Sequence, residues 1–109
     1  LTAKIQAAVT AEGATKSVNP TNEYTVANFG TEALASAQKT AIENFAKAVE
    51  EVKKAEAAVN ELEKVLGKEL TKYETGRTTA KEFSERVWAK TSAFNKLVKD
   101  QNWNNLEIK

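Results

Sequence analysis

The stretch TEALASAQKTAIENFAKAVEEVKKAEAAVNELEKVLGKELTKYET, residues 31–75, decides the fold of this chain. It contains no proline, and its only glycine is Gly67, which we expect to form a bend or a point of close contact rather than a stop. Thr31 is a good N-cap residue. Glu32 follows it, and its negative charge interacts favourably with the positive end of the helix dipole. Apolar or small side chains recur at steps that alternate between four and three, as in a heptad pattern. The stretch therefore predicts one long helix with this packed face: Ala41, Phe45, Ala48, Val52, Ala55, Val59, Leu62, Leu66 and Tyr73.

A second, shorter helix is predicted over residues 79–101. Gly76 is expected to end the long helix, and Thr79 with Glu82 forms a capping-box pattern that begins the next one. Because the turn at 75–79 is short, the two helices are expected to be antiparallel neighbours. The apolar stripe of the second helix lies at helical spacing: Phe83, Val87, Phe94, Leu97 and Val98.

The remaining segments are predicted to pack on this helical hairpin. Residues 1–30 should form a short helix over 1–12, ended by Gly13, and then an irregular loop that wraps the bundle. Residues 102–109 form a polar tail with three apolar side chains. The expected organisation is thus an N-terminal segment, a hairpin over 31–101 and a tail. The predicted fold class is all-α, a small bundle first and a protruding coiled coil second.

The two long helices differ in length, which bears on function. The shorter helix is expected to cover the long helix from Val52 downward, so the end around Phe45 needs another cover. The candidates are the N-terminal segment, a second copy of the chain, or a different partner.

The residue inventory argues against catalysis. The chain has no His and no Cys, and Asp100 is its only Asp. Nucleophile pairs built on His, zinc sites built from His and Cys, and an Asp-rich calcium loop are therefore not expected. The carboxylates are scattered along helices with Lys between them. We expect no enzyme activity, no cofactor and no metal.

Charge and hydropathy limit the classes of partner that are expected. The formal net charge is +1 with Lys and Glu interleaved, whereas nucleic-acid binding usually needs clustered Lys and Arg. No apolar run approaches the roughly 20 residues of a membrane-spanning helix. The second helix is mildly basic, but its acidic residues offset half of that charge, so peripheral membrane contact is not favoured. A protein partner or self-association is the expectation.

The chain begins at Leu1 and contains no Met. It is therefore expected to be either a product of precursor cleavage or a fragment of a longer protein. Cleavage would fit an extracytoplasmic location, such as a lumen, the periplasm or the secreted fraction, or a processed virion component. The absence of Cys is neutral between these compartments.

Several aromatic and apolar residues are candidates for contacts with a partner. Trp88 points away from the stripe of the second helix, so it either anchors an interface or is covered by the N-terminal segment. The tail residues Trp103, Leu106 and Ile108 either clip onto a partner, cap the bundle's own end, or are disordered. Two further candidates lie in the N-terminal loop: Tyr24 and Phe29.

Two charged positions fall among apolar ones. Lys90 lies inside the stripe of the second helix, where its stem is expected to pack while its amine reaches water or Glu61 or Glu63. A lysine with a lowered pKa that acts as a base is the alternative. Glu69 is expected to form a structural ion pair with Arg86.

Together these observations predict a non-catalytic accessory or structural subunit that docks on a larger protein assembly. The alternative is a stand-alone secreted binding domain or a carrier of small apolar ligands. A carrier would need a cavity lined by Phe45, Phe83 and Phe94.

Overall fold

The computed structural model describes residues 1–21, 23–29, 31–68 and 79–109, and the regular elements in these ranges are all helical. The predicted all-α class is therefore confirmed, in the form of a small bundle. The elements are α1 (Thr2–Val18), α2 (Val26–Phe29), α3 (Glu32–Leu66), α4 (Ala80–Asp100) and a 3-10 helix (Asn104–Leu106).

The long helix α3 begins as predicted and ends earlier. The Thr31 side chain accepts a hydrogen bond from the Leu34 backbone N–H at 3.3 Å, as an N-cap should. Gly67 does not form a bend within the helix. It adopts the left-handed conformation at φ 65° and donates its N–H to Glu63 O, which ends α3. The predicted extent to residue 75 was wrong, and the expected stop at Gly76 lies outside the described residues.

The first helix is longer than predicted, because α1 passes through Gly13 without interruption. A glycine inside a helix costs about 1 kcal/mol relative to alanine. Ile5, Ala8 and Thr15 on one face of α1 are all buried, and this packing outweighs that cost. The predicted end at residue 12 was therefore wrong.

The last helix agrees with its prediction at both ends. The Thr79 side chain accepts a hydrogen bond from the Glu82 backbone N–H at 3.3 Å. At the other end the Trp103 N–H donates to Val98 O at 2.9 Å, with Asn102 in the left-handed region at φ 59°. This Schellman-type turn reverses the chain and brings the tail back onto the bundle.

Both α1 and α4 run antiparallel to α3. Lys4 near the start of α1 pairs with Glu51 at 3.7 Å, and the Ala80 N–H at the start of α4 donates to Glu56 Oε1 at 3.2 Å. Helix α4 therefore starts beside Glu56 and runs towards the N-terminal end of α3, where Phe94 packs with Ala35 and Ile42. The prediction that α4 covers α3 from Val52 downward was wrong, because α3 ends at Gly67 and α4 begins beside Glu56 rather than beside the last turn of α3.

The core consists of two clusters that follow α3. One joins α1, α3 and α4, and the Phe45 and Phe83 rings meet edge to face in it at a centroid distance of 6.1 Å. The other joins α3, α4 and the tail. The buried members of the first are Ile5, Ala8, Phe45, Val49, Val52, Ala80 and Phe83, and those of the second are Ala35, Ile42, Phe94, Val98 and Leu106.

Candidate functional site

The most exposed large apolar side chain of α4 lies beside an open groove between α3 and α4. Trp88 is 72% exposed, so the N-terminal segment does not cover it. The groove next to it has a volume of about 230 Å³. Its lining is Ala46, Val49, Glu50, Lys53, Ser84, Val87, Trp88 and Thr91.

The groove stays open because its walls are built from small side chains. Ala46 on α3 and Ser84 on α4 leave space between two helices whose main contacts lie deeper, at Phe45 and Phe83. Val49 and Val87 form an apolar floor. An exposed aromatic ring beside such a floor is the arrangement that anchors protein interfaces.

The charged residues near Trp88 belong to two surfaces. Glu50 and Lys53 line the groove on α3. Lys81 and Glu85 line a separate depression on α4, which shares Ser84 and Trp88 with the groove. Within α3, Lys53 and Glu50 also pair at 3.1 Å.

The opposite side of the α3–α4 pair is closed by α1. Side chains two positions apart on a helix point in directions that differ by about 200°. Arg86 therefore faces away from Trp88 and towards α1. Arg86 Nε donates to Glu12 Oε2 at 2.6 Å, and Nη2 donates to Oε1 at 3.2 Å. The guanidinium also lies over the Phe83 ring, with Cζ 4.8 Å from its centroid. This ion pair connects α1 to α4.

Glu69, the partner predicted for Arg86, lies outside the described residues, so that pair remains a prediction. Glu12 and Arg86 are 74 positions apart, so local spacing could not pair them. The one sequence signal was an acid on the packed face of α1, one turn after Ala8.

A buried polar cluster lies next to this ion pair. Lys90 is only 6% exposed, and its surroundings are those of α1 rather than Glu61 or Glu63. Burial lowers the pKa of Lys90; the carboxylate of Glu12 opposes this, while the charges of Lys16 and Arg86 add to it. The packed stem expected for Lys90 agrees with its burial, and a role for its amine as a base stays a prediction.

Tyr24 and Gln38 form a second polar contact close to Lys90. Burial raises the pKa of Tyr24 to about 12, and the neighbouring Gln38 side chain opposes the rise. Gln38 is fully buried, yet its amide atoms make no hydrogen bond of normal geometry with the described residues. Tyr24 and Lys90 also line a cavity of about 270 Å³ together with Arg86, Ala89 and Ala93.

Apart from Trp88, the predicted contact residues whose side chains the structure describes pack within the bundle. Leu106 is buried, and Trp103, Ile108 and Tyr24 pack against the same cluster. The Asn95 side chain fixes the tail through two 2.8 Å hydrogen bonds to the Ile108 backbone. The tail thus caps the bundle's own end. The side chain of Phe29 lies outside what the structure describes.

The three phenylalanines that a carrier would use are fully buried. The edge-to-face contact of Phe45 with Phe83 fills the space that an apolar ligand would need between them. Phe94 lies in the other cluster, among Ile42 and Val98.

Within 1–21, 23–29, 31–68 and 79–109, no three carboxylates come together in a group that could hold a metal ion. No helix in the described part of the chain combines the length and apolar character needed to cross a membrane.

No protein-family model matches the chain, and no curated protein or solved structure is significantly similar to it.

Proposed function

We propose that this chain is a non-catalytic docking module that binds an amphipathic helix of another protein in the groove beside Trp88, as an accessory subunit of a larger assembly. The observation that carries the proposal is the position of Trp88, 72% exposed at the edge of an apolar groove. Tryptophan is the residue most enriched among those that dominate interface affinity.

The shape of the groove supports a helix as its occupant. Two antiparallel helices with small residues on facing walls leave a channel parallel to their axes. A helix placed there would lie on the side of α3 and α4 that α1 does not cover, and would complete a four-helix arrangement.

The charges on the α3 wall support a particular chemistry for that helix. An acidic residue would lie opposite Lys53, and a basic residue about one turn along would lie opposite Glu50. Between and beside them, an apolar side chain would contact Val49 and Val87. A partner with the reversed charge order would be disfavoured by like-charge contacts.

The proposal is tested by photo-crosslinking from the groove. Benzoylphenylalanine replaces Glu85, which lies beside Trp88 at the edge of the groove's neighbouring depression, and in a matched control it replaces exposed Gln6 on α1. After irradiation in extracts of the native source, we expect an adduct from position 85 and none from position 6. Peptide mapping should place the adduct on a helical segment with the charge order described above.

The Trp88→Ala change provides the second arm of this experiment. Loss of the adduct in that background is expected, since the ring supplies most of the apolar contact area. Equal adducts from both positions, or an adduct that survives Trp88→Ala, would contradict docking at the groove. An adduct with a second copy of the chain would contradict a different protein as the occupant.

A further inference from the structure

The Trp88 side chain lies between two hollows rather than beside one. On its α3 side is the groove of about 230 Å³, and on its other side is an open depression of about 640 Å³ on α4. This α4 depression is lined by Lys81, Ser84, Glu85, Trp88 and Ala89. Because Ser84 and Trp88 line both hollows, the two adjoin each other.

The order of residues along α4 places Trp88 at the boundary. Successive residues of a helix differ by about 100° in direction, so Val87 and Ala89 point to opposite sides of Trp88. Val87 belongs to the groove and Ala89 to the α4 depression. An apolar side chain that entered the groove alone would therefore cover one side of Trp88 and leave the other side in water.

The composition of the α4 depression suits an apolar side chain. Ser84 and Ala89 are small, and the surface that lines the depression is almost entirely apolar. Lys81 and Glu85 are exposed, so their stems form part of the lining while their charged ends reach water. The depression thus offers an aliphatic wall to an incoming side chain.

An interface anchor contributes most when it is fully removed from water. Aromatic side chains that dominate binding lie in well-packed pockets from which the surrounding contacts exclude solvent. Trp88 is 72% exposed in the free chain, so both of its sides must be covered before it reaches that state. The groove and the α4 depression must then both be filled in the complex.

Resting on the docking function proposed above, we propose that the docked helix carries two apolar side chains, three or four positions apart, that straddle Trp88. One fills the groove above Val49 and Val87, and the other fills the α4 depression. On α4 the groove extends over residues 84–91 and the depression over residues 81–89, so their centres lie within one turn of each other. Side chains three or four apart on one helix are neighbours on its surface and can reach both hollows.

In this arrangement the small size of Ala89 determines which helices can dock. A longer side chain at position 89 would fill the α4 depression and exclude the second apolar side chain of the partner. Ala46 on the α3 wall has the same role for the groove. Leucine is a good helix former, so Ala→Leu at either position leaves the helices intact.

The experiment measures the apparent affinity of the chain for its complex in extracts of the native source. The readout is the fraction of a fluorescently labelled chain that elutes in the complex across a dilution series of the extract. Ala89→Leu and Ala46→Leu should each weaken binding by about tenfold or more, as when one apolar side chain is kept out of its pocket. Ala7→Leu, at an exposed alanine on α1, is the matched control and should bind like the wild-type chain.

The two alanine positions separate this inference from the docking function itself. Weaker binding in Ala46→Leu with unchanged binding in Ala89→Leu would overturn the straddling helix and leave docking in the groove in place. Unchanged binding in Ala46→Leu would overturn both, because the groove would then be empty in the complex.

A second readout reports directly on the surroundings of Trp88. The chain contains two tryptophans, so Trp103→Phe labelled with 5-fluorotryptophan gives a single fluorine signal, from Trp88. In the complex this signal should lose the difference in chemical shift between H₂O and D₂O that it shows in the free chain. A part of that difference retained in the complex would mean that only one side of Trp88 is covered, and would overturn the proposal.

Discussion

The two sides of the α3–α4 pair have different surroundings although the same helices form both. On one side α1 buries Ile5 and Ala8 against Phe83 and pins Arg86 with Glu12. On the other side Trp88 stands in solvent beside an apolar floor. The covered side holds the bundle together, whereas the open side contributes little to its stability. That contrast is the reason to assign binding to the open side.

The largest expected effect is a difference in the free energy of unfolding between variants at two aromatic residues of α4. Phe83→Ala should lower the free energy of unfolding by about 3–5 kcal/mol, because it leaves a cavity beneath the Phe45 ring. Trp88→Ala should change it by less than about 0.5 kcal/mol, as expected for an exposed residue. Urea unfolding followed by far-ultraviolet circular dichroism compares the two. Similar losses for both variants would break the contrast between the sides.

The ion pair on the covered side should be the next largest contribution. Arg86→Ala should cost about 1–3 kcal/mol, because it leaves the largely buried Glu12 carboxylate without its donors and removes the contact with Phe83. A double-mutant cycle with Glu12→Gln isolates the pair itself. Purely additive effects would show that the pair does not hold α1 in place.

The covered side can also be strengthened by changing α1 alone. Gly13→Ala should raise the free energy of unfolding by about 0.5–1 kcal/mol, since Gly13 lies within α1 and a methyl group there would meet open space. Gly67→Ala is the control and should destabilise by about 1–2 kcal/mol, because its φ is 65°. A destabilising Gly13→Ala would mean that α1 is interrupted there.

One further effect is absent near neutral pH and appears only in alkali. The pKa of Tyr24 in the folded chain, about 12, lies above its ordinary value of 10.0, so the neutral phenol is favoured by folding. Its stabilising contribution is complete below pH 10 and is lost as pH rises towards 12. The lowered pKa of Lys90 acts in the opposite sense, because its cost disappears as the amine loses its proton.

Tyr24→Phe isolates the first of these two contributions. The variant should unfold with a shallower loss of stability between pH 10 and 12 than the wild-type chain, as measured by urea unfolding across that range. Identical pH profiles would show that the Tyr24 hydroxyl is not buried in the fold.

The heptad pattern identified the packed face of α3 but not the extent of its cover. Phe45 and Val52 on that face are fully buried, whereas Leu62 and Leu66 are about half exposed, and Val65 beside them is 81% exposed. The pattern repeats equally over both halves, so it carries no information on where α4 begins. That position depends on the end of α3 at Gly67, which adopts the left-handed conformation. The sequence did not indicate this end, because the apolar pattern continues on both sides of Gly67.

The candidate site was predicted in part. Its helical position indicated that Trp88 points off the apolar stripe, and its exposure fits that expectation. The polar cluster was largely missed, because Tyr24, Gln38 and Lys90 come from three segments that only the tertiary fold brings together. Local spacing cannot report such contacts.

The most direct test of the docking account is the native mass of the chain in extracts of its source, measured by size-exclusion chromatography with light scattering. The wild-type chain should elute in a complex well above its own 11.9 kDa, and Trp88→Ala should elute near 11.9 kDa with its helicity unchanged. A wild-type chain that elutes alone, or a Trp88→Ala variant that stays in the complex, would contradict the assignment of the open groove as the docking surface.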